Sequence, residues 1–390
     1  MINRIDASFS TVTRPDLRPQ RGFSLVELMV AVAIGLLIVV AMLALFVNMS
    51  RSNRELSKAN IQIENGRFAI QLIKEDVVHA GFWGAHVPDF DDVTFETTPT
   101  QPPIAIPDPC LAFNAANWTP AHKNNLLGIS VQSNDSVPGT CGPLIVDRKA
   151  NTDILVVRHA ETCVAGQPLT NDTSTNCPNT AGEIYIQSSL CSTEPKNAYV
   201  LDTGGHTLTA MNCTTPAPRR KFISNIYYIR NYAAIVGDGI PTLMRASFGA
   251  TGHQVAVPLI EGIEDFRIEL GIDDKSKTGA NANFTLPIEW LYPDPDRRDK
   301  LTPTNRGDGI PDRTMRCTAA TPCTAEDLAN AVLVKVYVLA RNLGFTPGHV
   351  DSKTYSLGGS AVGPFGDQYQ RHVFSSAIRI TNVSARREMP

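Results

Sequence analysis

From Leu28 to Val47 the chain runs for 20 residues without a formal charge. At ~1.5 Å per residue, a helix of that length spans the roughly 30 Å hydrocarbon core of a bilayer. A buried core helix is the competing reading, disfavoured by length. The flanks sharpen the choice. Residues 1–22 carry Arg4, Arg14, Arg18 and Arg21 against Asp6 and Asp16, and Arg21-Gly22-Phe23-Ser24-Leu25-Val26-Glu27 leads into the run. A secretory signal peptide places its small residues after the apolar stretch. Here Asn48-Met49-Ser50-Arg51 follows the stretch, and the small residue, Gly22, stands in front of it. Cutting at Gly22 would remove the charged leader and leave the apolar helix attached. Glu27 is the only ionisable side chain between Phe23 and Val47. An acid in that setting either snorkels to the headgroups or finds a cation. Four Lys/Arg before the run and three soon after it (Arg51, Arg54, Lys58) leave the charge rule for topology almost silent.

The segment R-G-F-S-L-V-E-L resembles the class III signal of type IV prepilins and pseudopilins. The resemblance implies that a membrane-embedded prepilin peptidase cuts between Gly22 and Phe23 and methylates Phe23. It also implies that Glu27 neutralises the new α-amine of a neighbouring subunit, a pairing worth far more in a low-dielectric helix bundle than in water. The 22-residue leader, with Pro15 and Pro19, is longer than the short leaders common in type IVa pilins.

Beyond Asn48 an apolar residue recurs every seven positions, at Leu56, Ile63, Ile70 and Val77, flanked by Ala59, Ile73 and Ala80. This predicts one helix over 23–80, on the order of 87 Å long, with its membrane-spanning part at about 28–47 and Gly81 as its C-cap. Gly66 is expected to weaken it by ~1 kcal/mol relative to alanine. Residues 89–141 are rich in Pro, Thr and Asn and read as extended loops. Strand patterns follow at 153–158, 183–187 and 221–232. Phe266, Ile268, Leu270 and Ile272 alternate with Asp265, Arg267, Glu269 and Gly271, as in a half-buried strand. Residues 331–340 read as a central buried strand, and 373–383 as a last strand before a tail with Arg386 and Arg387. The fold class is therefore α+β, one long helix on antiparallel sheet with long insertions. The expected divisions are 1–22, leader; 23–80, helix; 81–220, a Cys/Thr/Pro-rich insertion region; and 221–390, a β-rich region.

A second resemblance covers the latter half. Tyr227-Tyr228-Ile229-Arg230-Asn231 followed by Gly237-Asp238-Gly239-Ile240-Pro241 resembles PilW-type minor pilins. So do Leu259-Ile260-Glu261-Gly262-Ile263-Glu264-Asp265 and the closing Arg371-His372-Val373-Phe374-Ser375-Ser376. This implies a structural, non-catalytic protein of the inner membrane, with its C-terminal domain in the periplasm, that primes or caps a type IV pilus at its tip. Implied partners are prepilin peptidase, other minor pilins, the major pilin and the inner-membrane assembly platform, with a tip adhesin as a further candidate. A signal-anchored periplasmic enzyme or receptor, with its chemistry in 90–220, is the alternative from another class. A minor pseudopilin of type II secretion, similar to pseudopilin J, is the third.

The charge balance of 35 Lys/Arg against 38 Asp/Glu gives no sign of nucleic-acid binding. Eight cysteines without a C-x-x-C favour disulfides in an oxidising compartment. Sequence proximity pairs Cys317 with Cys323 first, then Cys110–Cys141, Cys163–Cys177 and Cys191–Cys213, stapling segments that lack a core of their own. Asp294, Asp296, Asp299, Asp308 and Asp312 gather carboxylates around a turn glycine, which suits calcium. Thr304 and Arg306 stand where two ligands of such a repeat belong, so a solvated turn is the simpler reading. No other metal or cofactor is expected. The sequence carries no G-x-S-x-G and no H-E-x-x-H, and its histidines are scattered.

Overall fold

The computed structural model describes residues 22–95, 97–169, 172–250, 252–291 and 302–388. Two compact units divide between Leu56 and Ser57. Helix α1, Leu25–His79, is 55 residues long and contributes to both. In the first unit its side chains are exposed at every position but Ser50 and Glu55, Leu37 at 71% and Phe46 at 70%, and none of its most apolar 18-residue window is buried. Such a surface in water would be a large apolar patch, so it calls for lipid or other helices around it.

In the second unit, α1 lies against sheet. Gln62, Gly66, Ala69, Ile73 and Val77 are its buried residues. This stripe differs in part from the expected one: Leu56 is 59% and Ile63 38% exposed and Ile70 is partly buried, whereas Val77 and the expected flanking residues Ile73 and Ala80 are buried. A strict seven-residue repeat drifts by ~20° per heptad around a straight helix, so it cannot follow a fixed partner surface. The helix also turns a polar side chain inward. Buried Gln62 donates to the carbonyls of Ala340 (2.7 Å) and Gln370 (3.1 Å). Helix α1 ends at Gly81, whose φ of +74° is the left-handed conformation that a helix C-cap uses.

Among the described residues, every named strand pair is antiparallel. The strands gather into a seven-stranded sheet, a four-stranded sheet and three short ribbons. The seven-stranded sheet centres on the long strand Arg219–Arg230, which pairs with Ile154–Ala160, Tyr185–Ser188 and Thr242–Ser247. Val131–Asn134, Tyr199–Asp202 and Val257–Glu261 complete it. The expected division at 220 thus falls inside a strand whose partners come from both sides of it. The four-stranded sheet has the spatial order Arg313–Met315, Ile263–Ile272, Ala331–Arg341, Arg371–Arg379. One core joins α1 to both sheets through residues such as Ile73, Val77, Leu155, Tyr227, Phe266 and Val336.

Three local expectations are corrected. Strand Ile263–Ile272 is buried on both faces rather than half-buried, because the charges of Asp265 and Arg267 are paired with each other (2.9 Å) beside buried Asp153. The last strand stops at Arg379, and residues 381–387, beyond the short helix α3 at Ala325–Ala329, form helix α4 instead of strand and tail. The loop-rich span 89–141 holds helix α2, Pro120–Gly128, capped by Thr119, whose hydroxyl accepts from the His122 N–H, with Pro120 in its first turn. The sulfurs pair as Cys110–Cys141, Cys163–Cys177, Cys191–Cys213 and Cys317–Cys323.

Candidate functional site

The N-terminal end of α1 carries the residues singled out by the sequence. Gly22 and Phe23 are exposed, Phe23 at 88%, immediately ahead of the first helical turn. Ser24 and Glu27 close a reciprocal cap. The Ser24 N–H donates to Glu27 Oε2 (2.9 Å), and the Glu27 N–H donates to Ser24 Oγ (3.2 Å). This is a capping box, which satisfies two of the four N–H groups that a helix start leaves without partners. The carboxylate is also favoured there by the positive end of the helix dipole. The sequence reading missed Ser24, although S-x-x-E ahead of an apolar run is its local signature. Glu27 is therefore held at the helix mouth, its carboxylate on the Ser24 N–H, the backbone nitrogen that follows that of Phe23, rather than left to wander along the apolar surface.

Polar side chains fasten the lower part of α1 to the second unit. Lys58 donates to the Phe345 carbonyl (2.9 Å) and Asn65 to the Glu261 carbonyl (3.0 Å), flanking the Gln62 contacts. Near the end of the helix, Asp76 accepts from Tyr227 Oη (2.9 Å) and from the Asn225 amide (3.1 Å), and pairs with His159 Nε2 (2.9 Å). Burial opposes the charged imidazole, but the hydrogen bond and charge of Asp76 outweigh it and raise the His159 pKa. Helix α4 then closes the C-terminal end of α1: the Asn382 amide donates to the carbonyls of Val78 (3.1 Å) and Ala80 (3.2 Å). Arg387, expected in a tail, is 4% exposed and binds Asp91 (2.7 Å), Asp273 (3.1 Å) and Asn330 (2.8 Å). None of this framework was read from the sequence, since each bond joins residues far apart in the chain.

Of the calcium candidates, Asp294, Asp296 and Asp299 lie outside the described residues. Asp308 Oδ1 accepts from the N–H of Ile310 (3.0 Å), and Asp312 Oδ2 from that of Lys275 (2.8 Å). The loop itself docks on buried Asp273, which accepts from the N–H groups of Asp308 and Gly309. Its twin at 237–241 repeats the turn, with Asp238 accepting from Ile240 (2.9 Å) and from the N–H groups of 233–235. In both copies of Gly-Asp-Gly-Ile-Pro the aspartate thus accepts from the N–H of the isoleucine two residues on. Among the described residues, the cluster with metal-ligand proximity is Asp108, Cys110 and Cys141, whose sulfurs are joined to each other.

Two comparisons bear on this arrangement. The model of the prokaryotic N-terminal methylation motif matches residues 17–43, the leader junction and the start of the apolar helix. The model of type IV pilus-assembly protein W matches residues 226–382. Both matches support a PilW-like type IV pilin. The PilW match begins in the central strand of the seven-stranded sheet, runs through the whole four-stranded sheet and ends in α4. It therefore takes in the four-stranded-sheet part of the surface on which α1 rests, while His159, Leu155 and the disulfide-stapled strands before 219 lie outside it. No curated protein and no solved structure matches the chain significantly.

Proposed function

We propose that this PilW-like chain is a non-catalytic minor pilin that primes or caps a type IV pilus after prepilin peptidase cuts between Gly22 and Phe23. The carrying observation is the exposed Gly22–Phe23 junction set directly against a capped, wholly uncovered apolar helix. Cleavage there turns the Phe23 nitrogen into an α-amine while leaving Ser24 and Glu27 in place. In the free subunit the Glu27 carboxylate is engaged by its own helix start. In a filament it faces the α-amine of a neighbour, and the capping box holds it ready for that contact. The apolar helix anchors the subunit in the inner membrane by one pass, with the sheet unit in the periplasm, until it enters the helix bundle of the pilus. The residues from Phe23 to Pro390 are by themselves bulky for a repeating subunit, which favours the tip. Its partners in this reading are other minor pilins, the major pilin and the assembly platform, with a tip adhesin beyond them. No cofactor takes part.

Intact mass and N-terminal sequencing of the membrane-extracted protein, with and without prepilin peptidase, test the reading. N-methyl-Phe23 as the first residue only when the peptidase is present supports it; a chain that keeps its leader in both strains overturns it. Glu27→Gln should be cleaved normally yet be depleted from sheared pili.

A further inference from the structure

The four-stranded sheet leaves one edge open in a way the other edges are not. Its last strand, Arg371–Arg379, is nine residues long and pairs on one side only, with Ala331–Arg341. The register fixes which backbone groups are used. Ile380 N–H donates to the Val332 carbonyl and Asn342 N–H to the Gln370 carbonyl, so the even-numbered residues of this strand bond inward. Antiparallel alternation then turns the N–H and C=O groups of Val373, Ser375 and Ala377 away from the sheet. No hydrogen bond engages them among the described residues.

Sheets normally blunt such edges with proline, lysine, a bulge or short length. The remaining edges here follow that rule. Arg313–Met315 has three residues, Val131–Asn134 and Tyr199–Asp202 have four each, and Val257–Glu261 contains Pro258. Strand Arg371–Arg379 has no proline, no lysine and no register shift.

Beside this edge, α1 and the strand enclose a groove of about 640 Å³. Ile70, Val78 and Phe374 give it an apolar floor, and Arg67 and Lys74 stand on its rim without an ion-pair partner among the described residues. The one acid on the rim, Glu75, accepts from Gln71 (3.1 Å).

We propose that Arg371–Arg379 is a docking edge that takes an extended segment of another chain as a fifth strand. On the face turned toward α1, that segment carries apolar side chains, which fill the groove, and at other positions of the same face carboxylates, which meet Arg67 and Lys74. Main-chain hydrogen bonds supply the attachment and the side-chain pockets supply the selection, as in strand addition generally. The proposal names a contact surface for the assembly reading but does not depend on cleavage at Gly22.

Fluorescence anisotropy on the full chain in detergent tests it with two labelled probe peptides, Val-Thr-Asp-Thr-Val-Thr-Asp-Thr-Val, whose valines and aspartates share one face, and its lysine counterpart. The acidic peptide should bind at least about tenfold more tightly, a difference of the size two modest charge contacts supply. Ser375→Pro removes one outward N–H and spares the inward ladder, a position where an edge strand accepts proline, and should abolish binding. Arg67→Glu with Lys74→Glu should reverse the preference. Equal affinities for the two peptides, binding unaffected by Ser375→Pro, or no saturable binding at all would overturn the proposal. Hydrogen exchange on the unmodified chain is an independent readout. The acidic peptide should slow the amides of Val373, Ser375 and Ala377 while those of His372 and Phe374 are protected beforehand. Because neither assay involves peptidase or pili, its failure is separate from failure of the processing experiment.

Discussion

His159 joins α1 to the seven-stranded sheet through Asp76, and its protonation is part of that joint. Burial lowers its proton affinity and Asp76 raises it by more, so the folded chain holds the proton above the ordinary value of 6.5. A pKa raised by folding stabilises the folded state fully below the unfolded value, and the contribution is lost as pH rises through the folded value. Denaturation of the full chain, followed by tryptophan fluorescence at about pH 5.5 and about pH 8.5, should therefore show a loss at the higher pH. His159→Gln should remove that component. Parallel pH profiles for the two proteins would show that the dependence arises elsewhere. At this scale the sequence was informative only where partners are close in the chain. Ser24 and Glu27 are three apart and could be read as a cap, whereas His159 and Asp76 are 83 apart and could not.

Helix α1 meets the four-stranded sheet closely at Gly66, where a Cβ would lie 2.2 Å from the Phe374 ring. Alanine is the better helix former by ~1 kcal/mol. Overpacking a filled contact typically costs about 1–3 kcal/mol, so Gly66→Ala should destabilise the chain on balance. Chemical denaturation should show a lower midpoint for Gly66→Ala, and most of the loss should vanish in a Phe374→Leu background. A higher midpoint for the single variant would mean the ring yields freely. Taken from the sequence alone, Gly66 was a weak point; in the fold it is the place where helix and strand touch. The helix itself was legible because its apolar run and the Gly81 stop are local. Its buried face was not, because Gln62 points inward only for the sake of carbonyls at 340 and 370.

Across the whole molecule, three of the four disulfides lie before residue 219, where strands are short and loops long. Cys110–Cys141 closes a separation of 31 residues and Cys317–Cys323 one of 6. On the loop-entropy model, replacing the first pair with serines should cost about 1.5 kcal/mol more than replacing the second. Denaturant midpoints of the two double variants check this, and the reverse order would place the stabilisation in native contacts instead. The sequence by itself determined the long apolar N-terminal helix, the α+β class and the approximate places of several strands. Each follows from hydrophobic period, chain-local chemistry or spacing along the backbone. Only the tertiary structure decided that strands on both sides of 220 share one sheet, and that 381–387 is a helix with Arg387 buried between Asp91 and Asp273. It also decided that Arg371 is fully buried against Glu264, Asp351 and Asp367. Charged residues look alike in sequence whether solvated or enclosed. Burial is stable for them only when oppositely charged or polar partners arrive from distant parts of the chain, and those arrivals are set by the fold.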